Sequence, residues 1–172
     1  MQKPAAEVEI THDLLRRLLR DQAPAFAEEP IELVAAGWDN EIHRLGAHHA
    51  IRLPRRSVAA PLVDNEQRWL PELEPRLPLP IPAPRVVGRP GHGFPWGWSI
   101  VPWYAGESIG ASPGTVAMAE QLGQFLLALH QPGPVDAPAN PFRGGPLHGR
   151  NERVQRDLTV HLRGLLPDET LT

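Results

Sequence analysis

Two short segments of the chain carry residue types from which a phosphate-binding site could be built. Gly37, Trp38, Asp39 and Asn40 form a turn between two predicted strands. Its glycine would let the backbone come close to a ligand, and exposed N–H groups in such a turn can hold phosphate oxygens. Taken alone, the turn is more simply a plain hairpin turn, because it matches neither a Walker loop nor the six-residue glycine motif.

The second segment contains Arg52, which lies in the third predicted strand. Alternation places Ala50 on its face of the strand, with Ile51 and Leu53 on the other face. An arginine on the inner face of a sheet needs a partner, because an unpaired buried charge is costly. Glu66, in the middle of the next predicted helix, could reach back to it. Such a cation–carboxylate pair can hold the α- and β-phosphates of a nucleotide.

The basic stretch continues beyond Arg52 with Arg55 and Arg56. We expect these two side chains to be ordinary solvated cations, because they follow the predicted strand rather than lie within it. Lys3 is the single lysine of the sequence, and arginine supplies all the other permanently positive side chains. A cationic site would therefore use a guanidinium.

A third segment, residues 98–107, is a strand that leads out of the sheet towards a helical region. Its backbone N–H and C=O groups could meet the edge of an adenine, with Ile100 and Val101 as apolar walls. The tryptophans of this region, taken one by one, are more simply residues of the core.

Hydrophobic periodicity supplies the elements that would position these residues. Thr11 is a good helix N-cap. The helices are predicted at 11–21, 62–73, 115–130 and 152–166, and the strands at 31–36, 41–45, 49–53, 85–88 and 98–101. This order predicts an α+β fold, a five-stranded antiparallel sheet with one packed helix, followed by the first helices of a helical lobe.

The helix at 115–130 has apolar residues at a spacing that predicts one buried face. These residues are Val116, Ala119, Leu122, Leu126 and Leu129.

Composition excludes several classes of function. The net charge of −3 and the pI near 6.2 argue against a nucleic-acid-binding protein. The absence of cysteine excludes disulfides and thiolate catalysis. Neither a signal-peptide core nor a long apolar run is present, so we expect no membrane contact and a cytoplasmic location. His48 and His49 are adjacent and would point to opposite faces of a strand, so we expect no metal site.

The segments taken together resemble the aminoglycoside phosphotransferase family of the protein-kinase-like fold. The resemblance runs over residues 10–166 and rests on the order of its motifs. They are the Gly-x-x-Asn turn, His-Ala-Ile-Arg-Leu-Pro-Arg-Arg, the helix with Glu66, Trp-Ser-Ile-Val-Pro-Trp-Tyr-Ala-Gly-Glu and Leu-Gly-Gln-Phe-Leu-Leu-Ala-Leu-His. It implies a kinase-like ATP-binding N-lobe at 1–101, a hinge at 102–107 and the start of a helical C-lobe at 108–172.

The resemblance also implies roles for individual residues. Gly37 to Asn40 would form the loop over the ATP phosphates, and Arg52 would stand where protein kinases usually carry lysine. Glu66 would be its partner on the helix. The hinge at the adenine would run from Val101 to Tyr104 and include Trp103. The substrate would be a small hydroxylated molecule, with aminoglycosides, macrolides and other acceptors all open.

The family's catalytic loop, His-Gly-Asp followed by an Asn, has no match in the sequence. The nearest segment is His148-Gly149-Arg150-Asn151, with arginine where the aspartate is needed. We therefore expect no catalytic residue and no metal ligand in this chain, and Mg²⁺ ligands in a missing C-terminal part. The chain would be a truncated kinase, inactive alone, whose exposed lobe could associate with other molecules. The alternative is a non-catalytic kinase-fold remnant that acts as a structural or partner-binding module.

Overall fold

The computed structural model describes residues 4–106, 114–138, 151–152 and 154–156. The first helix, α1, covers His12–Gln22 and begins where the sequence predicts. The side-chain oxygen of Thr11 accepts a hydrogen bond of 3.2 Å from the backbone N–H of Leu14, which satisfies one of the unpaired donors at the helix start. Four leucines of α1 form its buried stripe: Leu14, Leu15, Leu18 and Leu19.

Five antiparallel strands form one sheet. They are β1 Ile31–Ala36, β2 Asn40–Leu45, β3 His49–Pro54, β4 Val86–Gly88 and β5 Trp98–Pro102. The strands lie in the order β1-β2-β3-β5-β4, so β3 is the central strand. The predicted meander of three strands and the later strand pair are both confirmed.

The core lies between α1 and one face of this sheet. Apolar side chains from β2, β3 and β5 meet the leucine stripe of α1 in a single buried cluster, in which Ile51, Leu53, Trp98 and Ile100 are fully buried. Because side chains alternate along a strand, the residues between these positions face the other side of the sheet. Arg52 is one of them, so α1 does not cover it.

The second helix, α2, covers Ala60–Leu73 and contacts β3 and β5. Pro61 lies in its first turn, where the missing N–H costs no hydrogen bond. In the middle of α2, the side-chain amide of Gln67 donates to the backbone oxygen of Trp98 at 2.8 Å and to the hydroxyl of Ser99 at 3.0 Å. These bonds fix the rotation of α2 about its axis relative to the sheet.

The third helix, α3, covers Val116–Leu129 and is capped by the side chain of Thr115. The prediction of a buried apolar face is wrong for the described part of the chain, in which Val116 is 77% exposed and Leu122 is 53% exposed. The spacing of apolar residues along a helix does not specify what covers them.

The chain divides into two compact units, residues 1–132 and 133–172. In the second unit, the residues at 151–152 and 154–156 are helical, in agreement with the start of the helix predicted at 152–166. The rest of that helix lies outside the described residues. The predicted boundaries at 101 and 107 stay predictions. None of the helices in the described ranges is long and apolar enough to cross a membrane.

The contact between β4 and β5 gives a first prediction. A Cβ atom on Gly88 would lie 2.1 Å from the indole of Trp98, which is fully buried and cannot move aside. We expect Gly88→Ala to destabilise the protein by about 1–3 kcal/mol or more, as overpacking does in a dense core. Thermal or urea unfolding measures this. The matched control is Gly106→Ala, which meets no atom within 4 Å; equal losses in both variants would contradict the packing argument.

Candidate functional site

An ion pair between β3 and α2 is the centre of the candidate site. The Nη2 atom of Arg52 lies 2.7 Å from Oε1 of Glu66, which confirms that the two residues predicted as partners meet. The two side chains are 27% and 30% exposed, so the pair is neither fully buried nor on the open surface. A charged pair in such a position can be reached by a ligand and is only partly screened by water.

The sheet and α2 hold this pair from two sides. Arg52 lies opposite Ile42 of β2 and Ser99 of β5 in the antiparallel register. Ser99 accepts a hydrogen bond from Gln67, the neighbour of Glu66 on α2. The helix that carries the carboxylate is therefore tied to β5, the strand that pairs with β3 at Arg52.

The carboxyl group of Glu66 titrates abnormally. Burial raises the pKa of Glu66 above its usual 4.5, although the charge of Arg52 and its hydrogen bond act in the opposite direction. Removal from water therefore outweighs the partner's attraction. The ion pair is held in place against a desolvation cost, as expected for a pair that keeps a cation positioned rather than one that stabilises the fold.

Small and apolar residues lie beside Arg52 on the same face of the sheet. Ala50 and Val101 are cross-strand partners, and both are buried. Because Ala50 precedes Arg52 by two residues, all three side chains share one face. This face therefore places two buried apolar side chains next to a partly exposed cation.

Ile100 does not share that face. It is the cross-strand partner of Ile51 and belongs to the core cluster under α1. The side chain of Ile100 therefore cannot be an apolar wall of a site around Arg52, whereas Val101 lies on the correct side. Trp98 also belongs to the core, as the simpler interpretation of the tryptophans predicted.

The glycine turn lies between β1 and β2. The backbone N–H of Gly37 donates to the carbonyl of Asn40 at 2.8 Å and closes the turn. A Cβ atom on Gly37 would lie 3.3 Å from that same oxygen, so the turn needs glycine or a small displacement. Trp38 at its tip is 45% exposed.

Arg55 and Arg56 hold this turn, which the sequence did not predict. The Nη1 atom of Arg55 donates to the carbonyl of Gly37 at 2.8 Å, and its backbone N–H donates to the carbonyl of Asp39 at 2.8 Å. Arg56 pairs with the carboxylate of Asp39 at 2.9 Å. The expectation of solvated side chains is wrong, because Arg55 is only 9% exposed. The sequence signal that could have predicted this contact is Asp39, an acidic residue in the turn for which no cationic partner had been assigned.

The residues after β5 are anchored by their backbone and by one hydroxyl. Trp103 donates its N–H to the carbonyl of His48 at 2.8 Å, and its ring lies 4.8 Å from the guanidinium carbon of Arg44. The hydroxyl of Tyr104 donates to the carbonyl of Ile81 at 3.3 Å. The predicted hinge residues are thus tied to the sheet and to the proline-rich segment before β4.

The residues on this face fit a nucleotide by the chemistry of their donors. The Nε atom of Arg52 is buried and has no hydrogen-bond partner among the described residues. A phosphate oxygen would satisfy this donor, and the guanidinium geometry suits phosphate. No group of three or more histidine, aspartate or glutamate side chains that could hold a metal lies within the described ranges.

A separate cavity of about 310 Å³ lies between α2 and the segment that joins β4 to β5. Asp64 and Gln67 line it from α2, and Arg89 and Trp96 line it from the joining segment. It contains none of the residues predicted to bind the nucleotide. The candidate site is therefore on the sheet face around Arg52 and not in this cavity.

The titration of Glu66 gives a second prediction. Because the folded protein binds this proton more tightly than the unfolded chain does, the stability contributed by Glu66 is full below pH 4.5 and is lost as the pH rises through the raised pKa. The Glu66→Gln variant has no titrating carboxyl group at this position, so its stability does not fall with pH for this reason. We therefore expect the stability of the wild type relative to Glu66→Gln to fall as the pH rises from 4.5 towards neutrality, measured by urea unfolding at each pH.

Glu74 provides the matched control for this measurement. Its hydrogen bond with Arg85 lowers its pKa, so the stability that it contributes is present above pH 4.5 and is lost as the pH falls through the lowered pKa. Glu74→Gln should therefore change the pH dependence only below 4.5 and with the opposite sign. A difference between wild type and Glu66→Gln that stays constant with pH would contradict the account.

Comparison with solved structures places the fold. The chain is similar to the GDP and kanamycin complex of APH(2″)-IIIa, with a TM-score of 0.64, 18% identity, and coverage of 91% of this chain and 54% of the other. It is also similar to the GDP complex of wild-type aminoglycoside 2'-phosphotransferase-IIIa, with a TM-score of 0.65, 18% identity, and coverage of 90% and 53%. At these identities the likeness establishes the kinase-like α+β fold, as predicted.

A third structure, the streptomycin–ATP–APH(2″)-IIa ternary complex, has a TM-score of 0.52, 16% identity, and coverage of 95% of this chain and 55% of the other. The chain thus spans about half the length of the structures that it matches. No curated protein sequence matches it significantly. The profile of the phosphotransferase enzyme family, abbreviated APH, matches residues 30–170. This match covers most of the chain and includes the sheet and the Arg52–Glu66 pair. The chain therefore belongs to the APH phosphotransferase enzyme family.

Proposed function

We propose that this chain is the nucleotide-binding part of a small-molecule kinase, which transfers the γ-phosphate of ATP to a substrate hydroxyl. The observation that carries the proposal is the 2.7 Å pair between Arg52 and Glu66 on the sheet face opposite α1. The glycine turn supports it, because the turn leads into β2, whose Ile42 is the cross-strand partner of Arg52.

In this proposal each part of the nucleotide meets a different group. The guanidinium of Arg52, oriented by Glu66, binds the phosphates, and the turn at Gly37 covers them. The adenine lies against Ala50 and Val101, and its edge meets backbone groups of the segment from Val101 to Tyr104. Residues 1–101 would then form the nucleotide lobe, 102–107 the hinge and 108–172 the start of the helical lobe.

Phosphoryl transfer in this fold uses a catalytic-loop motif that has no match in this sequence. In the kinase-like fold a carboxylate accepts the substrate proton, and acidic and amide side chains hold Mg²⁺. The sequence has no His-Gly-Asp segment, and Arg150 stands at the aspartate position of its nearest match. We therefore propose that the chain binds the nucleotide but does not transfer phosphate by itself, and that the Mg²⁺ ligands lie outside these residues.

The substrate class is proposed from the family. The solved relatives include complexes with kanamycin and streptomycin, both of which carry many hydroxyl groups. A small hydroxylated acceptor, such as an aminoglycoside, is the substrate that we propose for the whole kinase. Nothing in the nucleotide face selects among such acceptors.

Nucleotide binding is tested by thermal unfolding with ATP–Mg²⁺, with GTP as a second arm. A ligand that binds only the native state stabilises it by about 2.7 kcal/mol at 100 times its Kd. We expect ATP to raise the Tm of the wild type. Arg52→Met should weaken binding roughly 10- to 100-fold, because a charge-assisted hydrogen bond is lost. Arg52→Lys, which keeps the charge, should retain part of the affinity.

The matched control is Arg17→Gln, which removes an arginine from an exposed pair with Asp13 on α1 and should leave the ATP shift unchanged. If neither nucleotide changes the Tm of the wild type, the nucleotide-binding proposal fails. The alternative, a kinase-fold module with a structural or partner-binding role, would then be favoured, and the exposed apolar residues of α3 would be the first surface to test.

A further inference from the structure

We propose that Arg55 and Arg56 are positioning residues that prepare the glycine turn to accept phosphate. This inference rests on the proposed nucleotide site and assigns a role to two residues that do not belong to the Arg52–Glu66 pair. The two arginines make three separate contacts with the turn, each within 2.9 Å: two to the carbonyls of Gly37 and Asp39 and one to the carboxylate of Asp39.

The contacts of Arg55 orient the peptide groups of the turn. Its Nη1 atom and its backbone N–H each bind one carbonyl of the turn, at Gly37 and at Asp39. In a planar trans peptide the following N–H points opposite to the carbonyl. The N–H groups of Trp38 and Asn40 are therefore directed away from Arg55. The two carbonyls that Arg55 holds lie on its side of the turn, and the two N–H groups that follow them can act as donors on the other side.

The contact of Arg56 reduces the electrostatic repulsion between Asp39 and a bound phosphate. Asp39 carries a negative charge within the turn that would cover the phosphates, and like charges placed together cost binding energy. Arg56 lies 2.9 Å from this carboxylate; its own side chain is 22% exposed and that of Asp39 is 44% exposed, so water screens part of the neutralisation. The turn then has no net charge of its own to repel a triphosphate.

The burial of Arg55 supports a role beyond solvation. Its side chain is 9% exposed, and its remaining Nε donor has no partner in the described ranges. A buried guanidinium is costly unless its bonds serve the structure around it. The guanidinium donates to the carbonyl of Gly37, so its burial favours one conformation of that turn.

The test compares ATP with adenosine, because only ATP carries the phosphates on which the turn acts. Isothermal titration should show that Arg56→Gln weakens ATP binding about tenfold while adenosine binding is unchanged. The double variant Arg56→Gln with Asp39→Asn should restore ATP affinity, because it removes the charge that Arg56 neutralises. A merely structural role would lower the affinities for both ligands together and would not be rescued.

Arg55→Lys tests the second contact, with the unfolding temperature as the check on folding. It should weaken ATP binding more than adenosine binding. Equal losses for the two ligands in either arginine variant, or failure of Asp39→Asn to rescue Arg56→Gln, would overturn the inference while leaving nucleotide binding intact. A wild-type chain that binds adenosine and ATP with equal affinity would also overturn it, and one that binds neither would overturn the proposed function as well.

Discussion

The structure depends on one electrostatic requirement: a guanidinium on the sheet face opposite α1 must be paired with a carboxylate. Arg52 lies in the central strand, where a charged side chain needs a partner, and α2 supplies Glu66 at 2.7 Å. The position of α2 is fixed in turn by Gln67, which bonds to the backbone and to a side chain of β5. The raised pKa of Glu66 indicates that this arrangement has an electrostatic cost, which a functional site can carry.

The two faces of the sheet have different roles: one forms the hydrophobic core and the other carries the candidate site. One face meets the leucine stripe of α1 and contains Trp98, Ile51 and Ile100, which pack as a dry core. The other face carries Arg52 beside Ala50 and Val101. Alternation along the strands produces this division, so a substitution on one face should affect folding and a substitution on the other should affect the ligand. The arginines after β3 extend the functional face to the glycine turn.

Local signals in the sequence predicted most of the fold. The cap at Thr11, the leucine stripe of α1, the three-strand meander and the pairing of Arg52 with Glu66 each depend on residues close together in the chain or in adjacent elements. The side of the sheet on which Ile100 lies depends on the register between β3 and β5, which are separated by more than forty residues. No local pattern gives such a register. The neutralisation of Asp39 by Arg56 was missed for a different reason: the acid in the turn was not matched with a cation, although the two residues meet when the consecutive strands β2 and β3 pair.

The apolar residues of α3 show a second kind of feature that the sequence does not predict, namely what covers a helix. Their periodicity predicted a buried face, which the described residues do not show, because what covers an apolar helix face is set by the elements that surround it. The chain spans about half the length of the structures that it resembles, and those proteins include complexes with nucleotides and aminoglycosides. The part of the family fold present here is the part that carries the cation, the carboxylate and the glycine turn.

A crystal structure of the chain with a non-hydrolysable ATP analogue tests the central claim most directly. We expect phosphate oxygens within hydrogen-bond distance of the Arg52 guanidinium, with the Glu66 contact retained and the purine against Val101. Phosphates bound elsewhere, for example in the cavity beside Asp64 and Trp96, with Arg52 still paired only to Glu66, would contradict it.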